Sequence, residues 1–216
     1  MLLNILYIIL GIFVTFLILH TIVRIVRYFY KFPIPQALVK FIDNPLRRRI
    51  QPPYETAIRH GIEPGMRVLD VGPGNGRYTL GAAEHLGSEG QLVSIDIEPK
   101  IIERLQERIE TEGIKNVDAR VADAYDLPFE DSNFDLIYMI TVINEIPDIP
   151  RALKEFHRVL KPSGKLVFSE LLLDPDYPLA GKLTQKVQSA KFHLLEKIGN
   201  FFYYTLIFEK SREYKS

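Results

Sequence analysis

Three glycines at alternate positions, Gly72, Gly74 and Gly76, follow an apolar run that ends at Val71, and Asp70 stands two positions before the first. A strand that turns into a helix through such residues leaves bare backbone for a ligand and aims the positive end of the helix at it. The dinucleotide fingerprint G-x-G-x-x-G does not fit, because its third glycine would fall on Arg77. Two more acids follow at regular intervals. Asp96 closes the run VSID, where a carboxylate can accept both hydroxyls of a ribose. Asp123, followed by Ala124, closes the third such run, where a carboxylate can meet an adenine amino group. A glycine turn alone can be tight packing, and each aspartate alone can be a cap or a turn residue. One acid at the end of each of three successive strands is harder to assign to packing.

The elements that must carry these residues alternate. MRVLDV, QLVSIDI, NVDARVAD, FDLIYMIT and KLVFSELLL read as strands. FDLIYMIT is a continuous apolar run, as expected when both faces are covered. GRYTLGAAEHLG, PKIIERLQERIETEG, PRALKEFHRVL and LAGKLTQKVQSAK read as helices, the second with Pro99 in its first turn and Gly113 as its C-cap. KPSG reads as a turn, and FHLLEKIG and FFYYTLIFEK as a closing hairpin about Asn200. Strands alternating with helices predict a doubly wound α/β sheet, with ligands bound where strand order reverses.

The sequence from about residue 50 to 210 resembles the class I S-adenosylmethionine (SAM) dependent methyltransferases, in particular the ubiquinone/menaquinone-biosynthesis type. The resemblance rests on Asp70-x-Gly72-x-Gly74-x-Gly76, on Asp96, on ADAYDLPFEDSNFDLIY and on EFHRVLKPSGKLVFSE. It implies a Rossmann-like sheet of seven strands, the last antiparallel, and SAM as cofactor. It also implies that the loop from Gly72 to Gly76 touches the methionine moiety. Asp96 would hold the ribose and Ile97 would pack on the adenine. Asp123, with the Ala124 backbone beside it, would bind the adenine amine, and Thr141 would lie near the methionine end. Asp135 is expected to serve the fold.

A carbon or oxygen acceptor needs a base, and the candidates are few. Relatives often carry a histidine after the fourth strand, where this chain has Asn144 and then Glu145. Glu145 can accept a proton or orient an ammonium; as a bland alternative it is a solvated loop acid. Glu170, near the end of the fifth strand, has a similar claim. His157 is expected to be structural, and no grouping of histidines and acids suggests a metal site.

The other end of the chain makes a different statement. Leu2 to Val23 is 22 residues without a charge, about 33 Å as a helix and enough to cross a hydrocarbon core of about 30 Å. A signal peptide would have a basic start, a shorter apolar run and a small-residue cleavage site. Arg24 to Arg49 carries seven basic side chains against one acid, Asp43, so this segment is +6 and, the chain being neutral, the remainder is −6. Zero net charge gives no reason to expect nucleic acid, and the absence of cysteine excludes disulfides, thiolate metal sites and a thiol nucleophile.

Three parts are expected: a transmembrane anchor over 1–30, a basic stem punctuated by prolines over 31–60, and a methyltransferase domain over 61–216. QALVKFID and PLRRRI would be short amphipathic helices of the stem, or simply a solvated linker. Positive charge C-terminal to the anchor places the body in the cytoplasm. The leading expectation is SN2 methyl transfer to an acceptor in the bilayer: a phospholipid head group, a quinone or an isoprenoid lipid. The alternatives are a soluble metabolite, a membrane protein, or a SAM-binding scaffold without turnover.

Overall fold

The computed structural model describes residues 2–29, 49 and 51–211. The stem helices expected within residues 36–50 lie outside the described residues, apart from Arg49, which is helical.

Seven strands form one sheet: β1 (Arg67–Val71), β2 (Gln91–Asp96), β3 (Val117–Val121), β4 (Phe134–Ile140), β5 (Leu160–Leu171), β6 (Phe192–Gly199) and β7 (Tyr203–Lys210). Their order is β3-β2-β1-β4-β5-β7-β6, and β7 alone runs antiparallel to its neighbours. Order reverses between β1 and β4, so their C-terminal ends open a crevice there. The body helices are α2 (Pro53–Arg59), α3 (Arg77–Leu86), α4 (Pro99–Glu112), α5 (Ile149–Val159) and α6 (Ala180–Gln188).

The period-two alternation of each strand divides the core. Leu69, Ile137, Phe168, Leu206 and Phe208 pack with α5 and α6 through Leu153, Phe156, Leu183 and Val187. Val68, Leu136, Tyr138, Val167 and Ile207 pack on the other face with Ala57 of α2 and Ala82, Ala83 and Leu86 of α3. Leu80 joins Ile102, Leu105 and Ile109 of α4 in a third cluster. A polar stripe crosses the α2 face: the His60 Nε2 lies 2.8 Å from the Ser169 Oγ, which lies 2.7 Å from the Thr205 Oγ1.

The segment KPSG is not a free turn. β5 runs through it, and its pairing with β4 shifts register between Phe134, opposite Leu160, and Leu136, opposite Lys165. Gly164 is required there, since a Cβ would fall 2.7 Å from the Leu160 Cδ1. Asp135 serves the fold, accepting from the Arg67 backbone N–H at 2.9 Å and from the Lys161 Nζ at 2.7 Å.

The N-terminal helix, α1 (Leu2–Phe29), is long and apolar enough to cross a membrane, with mean hydropathy 2.5 over Asn4–Val26. That stretch is not buried against the body. The Thr15 and Thr21 hydroxyls donate to the Gly11 and Leu17 carbonyls, each at 2.8 Å, so neither needs water. Near its C-terminal end the Arg24 Nη2 donates to the Tyr177 carbonyl at 3.1 Å.

Candidate active site

β1 ends in the glycine loop, and its three glycines differ in what they permit. Gly72 has φ +75°, and a Cβ there would lie 2.6 Å from the Val142 Cγ2. Gly76 has φ +76° at the N-cap of α3, and a Cβ would lie 2.5 Å from the Leu105 Cδ1. Both are favoured by the left-handed backbone, and Gly72 is also demanded by packing against the branched Val142 side chain. Gly74, at φ +56°, has no atom within 4 Å of the Cβ position. It alone offers its backbone to open space. The loop is held by the Arg108 Nη1, which donates to the Asn75 carbonyl at 2.9 Å, and by the Asn75 side-chain oxygen, which accepts from the Arg77 N–H.

Asp70 lies beneath this loop, 3% exposed. Its carboxylate accepts from the Thr79 hydroxyl of α3 at 2.6 Å and from the Ser94 hydroxyl of β2 at 3.3 Å. Burial raises its pKa to about 6, against the opposing pull of those hydroxyls. The same burial, with the Asp70 charge beside it, pushes the Tyr138 phenol well above its ordinary value. Asp70 thus ties β1, β2 and α3 together under the glycines.

Asp96 ends β2, where its Oδ1 accepts from the Glu98 N–H at 2.9 Å and partial burial raises its pKa. The next residue, Ile97, is 69% exposed, an uncovered apolar surface beside a carboxylate. Asp123 follows β3; its Oδ1 accepts from the Tyr125 N–H at 2.9 Å, and Ala124 beside it packs against the core. The segment from Leu127 to Asp131 is stapled from α5. Arg158 donates to the Leu127 and Phe129 carbonyls and to the Glu155 and Asp131 carboxylates, while Glu155 accepts from the Leu127 N–H. His157 is structural, with its ring edge-on to Phe192 at 5.3 Å.

Past β4, Thr141 has φ +57°, a left-handed conformation unusual for a β-branched residue. Its N–H donates to the Ser169 carbonyl at 2.9 Å. Asn144 and Glu145 lie on a 3₁₀ turn, Ile143–Glu145. The Asn144 Nδ2 donates to the Asp176 carbonyl at 2.7 Å, joining the β4 loop to the loop after β5. Glu145 is half-buried on this rim. Glu170 is buried instead; burial first, and then the Glu170 charge, raises the pKa of both Tyr177 and Tyr204. The topology thus gathers Gly72, Gly74, Gly76, Asp96, Ile97, Asp123, Ala124, Thr141, Asn144 and Glu145 on one rim, with Asp70 underneath. Sequence reasoning missed Val142 and Tyr138, whereas the loop carrying Tyr177 lies in LLLDPDYPLAGKL, the segment after the fifth strand expected to form part of an acceptor lid. Their roles depend on which strands become neighbours.

A switch-point crevice with a glycine turn on one strand and an acid on each of the next two belongs to a doubly wound enzyme that binds a nucleoside-bearing cofactor. Residues 62–209 match the family described as a methyltransferase domain. The ubiquinone/menaquinone biosynthesis C-methyltransferase UbiE of Idiomarina loihiensis is 34% identical over 140 residues, covering 64% of this chain and 54% of that protein. The protein of the same name from Yersinia enterocolitica is 33% identical over 156 residues, covering 72% and 59%. The chain spans about half the length of the curated relatives it matches. A SAM-dependent methyltransferase from Aquifex aeolicus has the same fold, with TM-score 0.75 at 21% identity over 82% of this chain and 98% of that one. The [4+2]-cyclase SpnF shares it too, at TM-score 0.65 and 20% identity over 73% and 79%. The chain belongs to the methyltransferase domain family, as a class I SAM-dependent methyltransferase.

Proposed function

We propose that this chain is a membrane-anchored enzyme that moves a methyl group from SAM to a lipid-phase acceptor, with a quinone-type ring favoured over a phospholipid head group or another isoprenoid lipid. The favoured acceptor follows the UbiE relatives, which are ubiquinone/menaquinone biosynthesis C-methyltransferases. One structural observation carries the membrane part. Arg24 of the apolar helix is bonded to the loop at Tyr177, and Asn144 bonds that same loop to the end of β4. The helix that can enter a bilayer is thereby coupled to the catalytic rim. Residues 1–30 then serve as the anchor, 31–60 as the stem and 61–216 as a cytoplasmic catalytic domain. α2, within the stem range, packs on α3 so closely that a Cβ at Gly81 would meet the Pro53 backbone at 2.7 Å.

The residues present fit SAM. Gly74 presents bare backbone to the amino-acid end, with Thr141 nearby. Asp96 accepts the ribose hydroxyls, Ile97 covers a face of the adenine, and Asp123 with the Ala124 backbone takes the adenine amine. Asp70 holds the loop from below. Bound SAM supplies a methyl group on a sulfonium, already a strong electrophile. The chain's own task is to align the acceptor and exclude water, which in favourable cases contributes about 7–11 kcal/mol. A ring carbon also has to lose a proton, and Glu145, half-buried on the rim, would take it.

The test combines the full chain, methyl-labelled SAM and membranes of its own host, with products divided between organic and aqueous phases. Label in the organic phase is expected, and mass spectrometry would then identify the acceptor. Label confined to protein or to the aqueous phase would replace this reading with methylation of a membrane protein or a soluble metabolite. SAM binding with no transfer anywhere would leave the scaffold reading.

A further inference from the structure

The turn between β6 and β7 is unusual in what it exposes. Gly199, Asn200, Phe201 and Phe202 form it, and Phe201 and Phe202 are 59% and 66% exposed. Turns at the rim of a soluble domain ordinarily carry small polar residues. These rings are not there through looseness. The Asn200 Oδ1 accepts from the Phe202 N–H at 2.8 Å, and the Asn200 N–H donates to the Tyr203 carbonyl at 2.7 Å. Gly199, at φ +97°, approaches the Tyr203 oxygen so closely that a Cβ would stand 2.4 Å from it. From Ile198 to Phe208 the chain carries no charge.

The exposed rings belong to a larger apolar surface. The Leu172 N–H donates to the Phe202 carbonyl at 2.8 Å, which sets the loop after β5 beside the turn. Leu173 and Leu179 on that loop are each 48% exposed. The Tyr177 hydroxyl donates to the Phe201 carbonyl, and the Tyr177 backbone carbonyl is the group that holds Arg24 of α1. The patch is therefore continuous with the point where the apolar helix meets the body. It also lies on the catalytic rim, because β7 is antiparallel and its first residue sits beside the last residues of β5.

We propose that Leu173, Leu179, Phe201 and Phe202 form a second membrane contact that dips into the lipid surface next to α1 and turns the catalytic rim toward the bilayer. Exposed apolar patches of this kind mark interaction surfaces, and Phe and Leu are among the side chains that interfacial elements bury at the headgroup/acyl boundary. The occupant is lipid rather than another protein because the patch joins a helix that carries no charge from Leu2 to Val23 and is long and apolar enough to cross a membrane. The acceptor then reaches the rim without crossing water. This deepens the function proposed above and rests on the reading that α1 enters the membrane.

The chain has no cysteine, so single labels can be placed in the full-length protein. A polarity-sensitive fluorophore is attached at Phe202→Cys, Leu173→Cys, Ile12→Cys in α1 or Glu107→Cys on the exposed side of α4. Each protein is reconstituted into phosphatidylcholine/phosphatidylglycerol vesicles containing nitroxide-labelled lipid. The expected result is strong quenching at Ile12→Cys, and quenching at Phe202→Cys and Leu173→Cys several-fold above that at Glu107→Cys. Quenching at Ile12→Cys with Phe202→Cys and Leu173→Cys no higher than Glu107→Cys would overturn the second contact and leave the anchor standing. Absence of quenching at all four positions would overturn both. Shielding of Phe202→Cys that appears equally in lipid-free detergent and grows with protein concentration would assign the patch to a second copy of the chain and overturn the lipid contact.

Discussion

The three glycines of the loop look equivalent in the sequence and are not equivalent in space. Gly72 and Gly76 sit against Val142 and Leu105, whereas Gly74 faces the crevice. Gly72→Val forces a side chain into Val142 at a positive φ and is expected to unfold the β1–α3 junction. Gly74→Val carries only the backbone penalty, about 1–2 kcal/mol for a left-handed residue, so the protein folds but its SAM affinity is lost. Thermal melts paired with isothermal titration of SAM separate the two variants. If Gly74→Val bound SAM like the parent, the assignment of this loop to the cofactor would fail. The three aspartates also part company. Asp70 is spent on Thr79 and Ser94, while Asp96 and Asp123 reach the rim.

At the scale of elements, α5 does more than cover the sheet. Its Arg158 reaches the Leu127 and Phe129 carbonyls, the Glu155 carboxylate and Asp131, and so fixes the loop that descends from Asp123. This gives a physical reason for the run EFHRVL lying where it does. Arg158→Ala is expected to destabilise the protein by about 2 kcal/mol, the scale of hydrogen bonds made by a charged group, and to weaken SAM binding through Asp123. Arg158→Lys should not rescue it, since a single ammonium cannot serve the fork of partners that the guanidinium does. Denaturant titration of both variants checks this, and a fully stable Lys variant would show that charge alone is at work. The same register logic explains KPSG. Its proline and glycine read as a turn, yet the flanking Leu160 and Lys165 both pair with β4, so the segment is an irregularity within one strand.

At the scale of the whole molecule, stability should respond to pH through two buried groups of opposite sign. His60 is buried and neutral, its pKa lowered to about 3 chiefly by burial and then by Arg59. Its contribution is complete above the unfolded value near 6.5 and is lost as pH falls toward 3. Asp70, raised to about 6 chiefly by burial, acts in reverse: its contribution is present below the unfolded value of 3.8 and is lost as pH rises through 6. Between about pH 4 and 6 the two oppose each other. Removing the imidazole in His60→Gln leaves the Asp70 effect alone, so acidification from pH 7.5 to 5 should raise the melting temperature of this variant relative to the parent. Parallel melting curves across that range would mean that His60 does not govern the acid limb. The [4+2]-cyclase of the same fold is a reminder that the sheet alone does not choose the chemistry.

Much of this was readable from the chain by itself, for a physical reason. Periodicity, strand-ending acids and a glycine turn are local features, and they were enough to predict the alternating fold, the closing hairpin and an apolar helix of membrane-spanning length; the SAM-dependent class came from the resemblance of four motifs to a known family. What waited for tertiary structure were matters of neighbourhood. Val142 explains Gly72 only because β4 lies beside β1. The hydrogen bond from Asn144 to the Asp176 carbonyl joins two loops far apart in the chain, and the bond from Arg24 to Tyr177 joins the first helix to the loop after β5. Phe201 and Phe202 read as ordinary strand residues until the turn of the hairpin set them outside the core. Each of these facts depends on strand order and chain reversal, which a one-dimensional pattern does not encode.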